Sequence, residues 1–292
     1  MKPKIAFWIA LGGTVLATVL RCVQMLFFFD YETGFVTDSG IFTALHCTVI
    51  LLCALACGIL CRLERTLCGT MQRERSWGCG ISASMAALFL GYGAFVLLKD
   101  AYNYKMFGVS YSVEPVHILS HVPFAVLSGL FCAAALVVTF AWLRDGKLPG
   151  NIGALWAVGV LWALYYMVLT FMTYSASATM QENLFTMGGG ALMLFFLLAE
   201  GKLISGVGGR KASRSVFIFG IPAVIFWLTY VLSNTVLIIF GRGYVTEMPY
   251  VIQLMMFALS VHAVMLMAAL RNRELFVPSM QGVERSERKK AQ

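Results

Sequence analysis

The chain has 292 residues, 60% of them apolar and only 12% charged, with a mean hydropathy of +0.80. Soluble domains carry roughly 45–50% apolar and about 25% charged residues, so this composition excludes a fold wetted over its whole surface. The net charge of +8 does not point to nucleic acid as a partner, because the basic residues fall between long apolar runs, where membrane insertion leaves them.

A helix that crosses a bilayer needs about 20 apolar residues. Eight segments qualify: 5–29, 41–61, 78–98, 116–143, 151–174, 182–200, 215–240 and 248–270. The reading is an all-α polytopic bundle of eight transmembrane helices. The first segment follows Met-Lys-Pro-Lys and resembles the opening of a signal peptide. Its apolar character resumes after Arg21 and continues to Phe29, so it reads as an uncleaved span. Arginine inside hydrocarbon costs roughly 2.5–3.5 kcal/mol on insertion scales. Arg21 stands about 12 Å along the helix from Phe29. It either snorkels toward the headgroups and Asp30 or faces inward to bind an anionic group or pair with a carboxylate.

In the second segment Cys53, Cys57 and Cys61 recur at a spacing of four and share one face. None of the cysteines forms a CxxC pair, so they read as packing residues rather than a redox or zinc-ribbon site. The third segment carries Ala83, Ala87 and Gly91, a small-residue stripe that admits another helix closely.

The fourth opens on Glu114-Pro-Val-His117-Ile-Leu-Ser-His121. Pro115 suits the first helical position, after which Glu114, His117 and His121 share a face. Together with His46, at similar depth in the second segment, they form a candidate ligand set for a transition metal such as zinc. The plainer alternatives are a helix-start carboxylate favoured by the dipole and imidazoles that hydrogen-bond locally or carry protons. Taken alone, His117-x-x-x-His121 resembles the HxxxH pair of membrane hydrolases of the ceramidase and progestin-receptor-like type. Its position in the chain and the missing companion motifs set this sequence apart, so that activity is not carried over.

Polar residues gather in one half of several segments. Arg21, Gln24, Thr170 and Asn234 mark a candidate substrate-binding vestibule open to the outside. No residue is assigned a catalytic role. His262, deep in the last segment, reads as a histidine satisfied by one neighbour. Pro222 can bend the seventh segment, and Gly188-Gly189-Gly190 can loosen the sixth.

Lys and Arg crowd the N-terminus, the segments 62–75, 144–147 and 202–214, and the stretch after 270. Only Lys99, Lys105 and Arg242 fall on the other side, which holds Asp30, Glu32, Asp38, Asp100, Glu114, Glu182 and Glu247. This bias places both termini in the cytoplasm, in what reads as the plasma membrane. Residues 1–275 form one transmembrane domain, and 276–292 a basic, flexible cytoplasmic tail. The Tyr111-Ser-Val-Glu114-Pro115 stretch is echoed by Tyr244-Val-Thr-Glu247-Met-Pro249, which suggests two parallel four-helix halves.

The Gly206-Val-Gly-Gly-Arg-Lys-Ala-Ser stretch lacks the phosphate-cradling GxxxxGK[ST] spacing, so the chain carries no nucleotide-hydrolysing motif of its own. Three functional readings follow. The first is a small-solute transporter, or the membrane subunit of one. The second is a membrane-embedded metal enzyme built on His46, Glu114, His117 and His121. The third is a non-catalytic partner or sensor whose basic loops contact a cytoplasmic protein or anionic lipid. Transport ranks first.

Overall fold

A computed structural model describes residues 2–30, 36–63, 70–71, 76–143, 152–174, 180–205, 207, 209–242, 248–271 and 276–277. Among these, eight helices are long and apolar enough to cross a membrane. The first is Lys2–Phe27, the second Ile41–Leu63, the third Trp77–Phe107 and the fourth Ile118–Leu143. The fifth is Ile152–Thr173, the seventh Gly209–Ile239 and the eighth Tyr250–Arg271. The sixth is composite: a helical turn Met180–Asn183, a π-helical turn Leu184–Gly188, then an α-helix Gly189–Ile204. The chain is thus a membrane-embedded, all-helical bundle. A two-residue antiparallel ladder joins Thr70–Met71 to Phe276–Val277. The rest of the basic tail, most of the loop arginines and the Tyr244–Glu247 echo lie outside the described residues.

Two helices outrun their apolar segments. The third continues past Lys99 and Asp100 to Phe107, where Gly108 at φ 70° closes it and donates its N–H to the Tyr104 carbonyl. The seventh begins at Gly209 and takes Lys211 and Arg214 into its first turns. Charge ends a hydrophobic stretch without ending a helix, because Lys and Arg are good helix formers. At the fourth helix, Pro115 opens a 3-10 turn, Pro115–His117, that leads into Ile118.

Contacts between helices show how the ends alternate. Cys57 Sγ, late in the second helix, lies 3.3 Å from the Ala6 carbonyl, early in the first. The start of the third meets the end of the eighth through Cys79 and Met265. The end bearing Lys4, Cys57 and Lys211 is called the basic end below, and the end bearing Asp38, Asp100 and Glu182 the acidic end.

The third through eighth helices pack as a ring in chain order, the eighth returning to the third, while the first and second lie against the seventh. The seventh is therefore the most enclosed span and the second the most lipid-exposed, with 72% and 17% of their central windows buried. The cysteine face of the second helix packs on the first, where a Cβ on Gly13 would fall 2.5 Å from Cys53 Sγ. The small stripe of the third meets the fourth, where a Cβ on Gly91 would lie 3.2 Å from Cys132 Sγ.

Inside the ring, aromatic side chains fill the middle depth. Trp162 stacks on Tyr166 at 5.8 Å, Tyr166 meets the Trp227 edge at 5.4 Å, and Phe131 meets Trp156 at 5.5 Å. The Trp162 indole donates to Ser128 Oγ at 2.8 Å, the partner that a buried ring N–H usually finds. Gly189 lets the sixth helix reach this layer, since a Cβ there would lie 2.4 Å from Trp227 Cδ1. Gly189→Ala overpacks a rigid, buried ring and is expected to cost about 1–3 kcal/mol. At Gly58 an added Cβ meets nothing within 4 Å, so Gly58→Ala should be neutral or stabilising by up to about 1 kcal/mol. Thermal unfolding of the two variants in detergent checks the contrast.

Candidate functional site

Near the acidic end, Arg21 turns inward and is 2% exposed. Its guanidinium donates to Gln24 Oε1 at 2.8 Å and lies 3.5 Å from Glu182 Oε1, at the start of the sixth span. It also sits 5.7 Å from the centre of the Phe185 ring. Gln24 passes the network on: its amide lies 3.1 Å from Thr43 Oγ1 and 3.4 Å from Asp38 Oδ2. Asp38 in turn starts the second helix, accepting the N–H groups of Gly40 at 3.0 Å and Phe42 at 2.7 Å. Three helices therefore converge on one buried cation and two buried carboxylates.

His46 closes the floor of this cluster. Its Nε2 faces the Ala17 carbonyl at 2.5 Å, and its ring meets Phe185 edge-on. A carbonyl only accepts, so Nε2 carries a proton, whatever the state of Nδ1. No donor of hydrogen-bonding geometry meets that Nδ1 among the described residues. Thr170 and Asn234 are buried as well. The Thr170 hydroxyl meets no hydrogen-bond partner among the described residues, whereas the Asn234 amide donates to Gln253 Oε1 at 3.2 Å.

The histidines of the fourth helix are arranged differently. His121 Nδ1 faces the His117 carbonyl at 2.8 Å, and its Nε2 faces the Tyr174 hydroxyl at 2.6 Å. Both ring nitrogens are thus engaged, Nδ1 as donor and Nε2 as acceptor. His117 Nε2 stands 4.0 Å from Glu114 Oε2, at the more open rim. Among the described residues no three His, Cys, Asp or Glu side chains are grouped to hold a metal ion. His46 belongs with Arg21, and His121 with Tyr174. Nearby, Asp100 accepts the N–H groups of Tyr111, Ser112 and Val113 at 2.9, 2.7 and 3.1 Å. It tethers the turn before the fourth helix.

A second buried centre lies toward the basic end. Glu200 of the sixth span and His262 of the eighth are 0% and 1% exposed, with Oε1 and Nε2 2.8 Å apart. His262 Nδ1 lies 3.1 Å from Ser82 Oγ, which itself donates to the Cys79 carbonyl at 3.1 Å. Ser82 Oγ thus stands 3.1 Å from both the Cys79 carbonyl and His262 Nδ1, and its one proton can serve either acceptor. The contact between Nε2 and Oε1 is a hydrogen bond between a ring nitrogen and a carboxylate oxygen. Glu200 Oε2 meets no hydrogen-bond donor among the described residues.

Trp156 covers this pair, with its ring 6.4 Å from the His262 ring. The same indole lines a cavity of about 430 Å³ between the fifth and sixth spans, beside Gly153, Gly201 and Lys202. The aromatic layer of Trp162, Tyr166 and Trp227 lies between Trp156 and Thr170 along the fifth helix.

Sequence reading found Arg21, Gln24 and the polar bias of one end, but it missed the partners. In sequence Glu182 reads as one of the acids of the less basic side, and nothing there sets Ser82 apart. The signal for Glu200 was present, as a carboxylate directly before Gly201-Lys202 at the close of an apolar run. Comparison with known proteins returns no matching family model, no matching curated protein and no matching solved structure.

Breaking one half of a buried ion pair costs about 3–5 kcal/mol, whereas replacing both halves is often nearly neutral. Arg21→Met should therefore destabilise strongly, and adding Glu182→Gln should recover a large part of the loss. Chemical unfolding of the single and double variants in mixed micelles, read as a double-mutant cycle, measures that coupling.

Proposed function

We propose that this chain is a proton-linked carrier of a small anionic solute, with its basic end in the cytoplasm. One observation carries the reading. The sixth span presents two buried carboxylates at different depths, each against a basic group from another helix: Glu182 with Arg21, and Glu200 with His262. Ionisable groups inside a membrane are costly and mark ion, substrate or proton paths.

The chemistry fits coupled movement. Arg21 is the cation a solute's carboxylate would seek, and Glu182 already occupies it. An anionic solute that takes Arg21 leaves Glu182 buried without its counter-charge, and a buried carboxylate in that position binds a proton. Solute binding and proton uptake are then one event at the acidic end. Glu200 and His262 form a hydrogen-bonded acid–base pair toward the basic end, beside Trp156. Between the two centres lie the π-helical turn and Gly188, Gly189 and Gly190. π-turns recur at functional sites, and this one sits where the sixth span must move for the centres to communicate. The metal-enzyme reading gathers less support, because its four ligands divide between two separate clusters.

Proteoliposomes loaded with a pH-sensitive dye test the proposal. A panel of acetate, lactate, succinate and glutamate is added outside at matched pH, and the internal pH is followed. At least one anion is expected to acidify the lumen faster than it does in protein-free liposomes, which acetic acid crosses unaided. Arg21→Gln and Glu200→Gln should each slow that signal by on the order of tenfold or more, the effect of losing about 1.4 kcal/mol or more. A folded wild type that neither moves protons with any panel member nor is stabilised by one would count against the reading.

A further inference from the structure

We infer that the groove between the second, sixth and seventh spans is a binding site for an anionic phospholipid of the leaflet at the basic end. The groove encloses about 1050 Å³, at the upper limit of the roughly 300–1,000 Å³ typical of ligand pockets. Its walls are hydrocarbon, with Leu51, Leu55, Ile59, Leu192, Ile218 and Phe226 among them. Leu51, Leu55 and Ile59 are 59%, 53% and 58% exposed, so the surface is presented to lipid and not sealed within the bundle.

Polarity is confined to one end. Lys211, Arg214 and Ser215 line the groove in the first turns of the seventh helix. Lys211 and Arg214 stand three residues apart and so lie on one face. From Lys211 to Phe226 the groove follows the seventh helix for about 22 Å. Half of a hydrocarbon core is about 15 Å, and the headgroup region adds several more. A phosphate held by Lys211 and Arg214 would therefore send its acyl chain along the groove through its own leaflet. Lys and Arg next to the membrane each attract anionic lipid, and Ser215 supplies a hydroxyl at headgroup depth. Gly58, which faces the groove with nothing within 4 Å of an added Cβ, leaves room for the chain.

The occupant is identified by this combination. A second copy of the chain would need an apolar face ending in acidic groups. A free anion would have no use for the hydrocarbon walls. The inference uses the same orientation as the transport reading but none of its chemistry, so either can fail alone.

Native mass spectrometry of the full chain, in micelles with equimolar phosphatidylglycerol and phosphatidylcholine of identical acyl chains, tests it. The wild type is expected to retain phosphatidylglycerol in preference by on the order of tenfold. Lys211→Gln/Arg214→Gln should bring the two lipids level, while Lys99→Gln, at the acidic end, should not. Gly58→Leu puts a side chain into the groove where an added Cβ meets nothing within 4 Å and should lower retention of phosphatidylglycerol. Equal retention by the wild type, or an unchanged preference in the double variant, would overturn the assignment. So would dimers that persist without lipid and are lost in Gly58→Leu, since a second copy would then cover the groove.

Discussion

An ionised side chain surrounded by hydrocarbon has to find its counter-charge within the protein, and in this bundle that requirement fixes which helices meet. Arg21 carries its charge into the interior of the first helix and is met by Glu182 from the sixth span. Gln24 fills the remaining acceptor role and ties in Thr43 of the second. An ionised group left unmet inside a bundle of this kind is costly, so each of these contacts removes a penalty that bulk water would remove in solution. The second helix is otherwise the span most exposed to lipid. Its attachment through Gln24, Asp38 and His46 explains how a helix with so little buried surface keeps one position.

The backbone of the sixth span is held to the same standard. A π-turn leaves carbonyls poorly matched to the α-helical pattern. Here the Gly189 N–H reaches the Phe185 and Thr186 carbonyls, and the Trp227 indole lies 3.5 Å from the Thr186 carbonyl. Thr186 Oγ1 in turn donates to the Glu182 carbonyl. The irregular turn is thus accommodated by a tryptophan of the most buried helix, and Gly189 is what lets that ring come close. The same tryptophan belongs to the aromatic layer, so the shape of the sixth span and the barrier between the polar centres depend on one side chain.

Much of this architecture was legible in the sequence, and the parts that were not share a cause. Apolar length locates a span because the bilayer sets a minimum, and all eight appear as helices. Apolar length does not mark where a helix stops. Asp100 ends the hydrophobic run, yet the third helix continues to Gly108 and Asp100 bends back to hold the next turn. The depth of Arg21 showed that it needed a partner, but not that Glu182 was the partner. Periodicity put Glu114, His117 and His121 on one face, but it could not foresee Tyr174 arriving from the fifth helix to take His121 Nε2. In each case the missing knowledge is which helices are neighbours, and spacing along a single chain does not contain it.

The π-turn shows how a local irregularity becomes a global arrangement. Glu182 and Glu200 are eighteen residues apart, which in an ideal α-helix of 3.6 residues per turn is about five full turns. Without the π-turn both carboxylates would point the same way, toward a single neighbour. A π-turn accommodates about one extra residue, and one residue is a rotation of roughly 100°. The first carboxylate consequently meets the first helix, and the second meets the eighth. Rotation of the same span also turns Leu184 and Leu192 outward to wall the lipid-facing groove. The sixth helix is thereby the partition between the polar interior and the bilayer. Any conformational change that straightens its π-turn must swing one carboxylate away from its partner, at the cost of leaving a buried charge without its counter-charge.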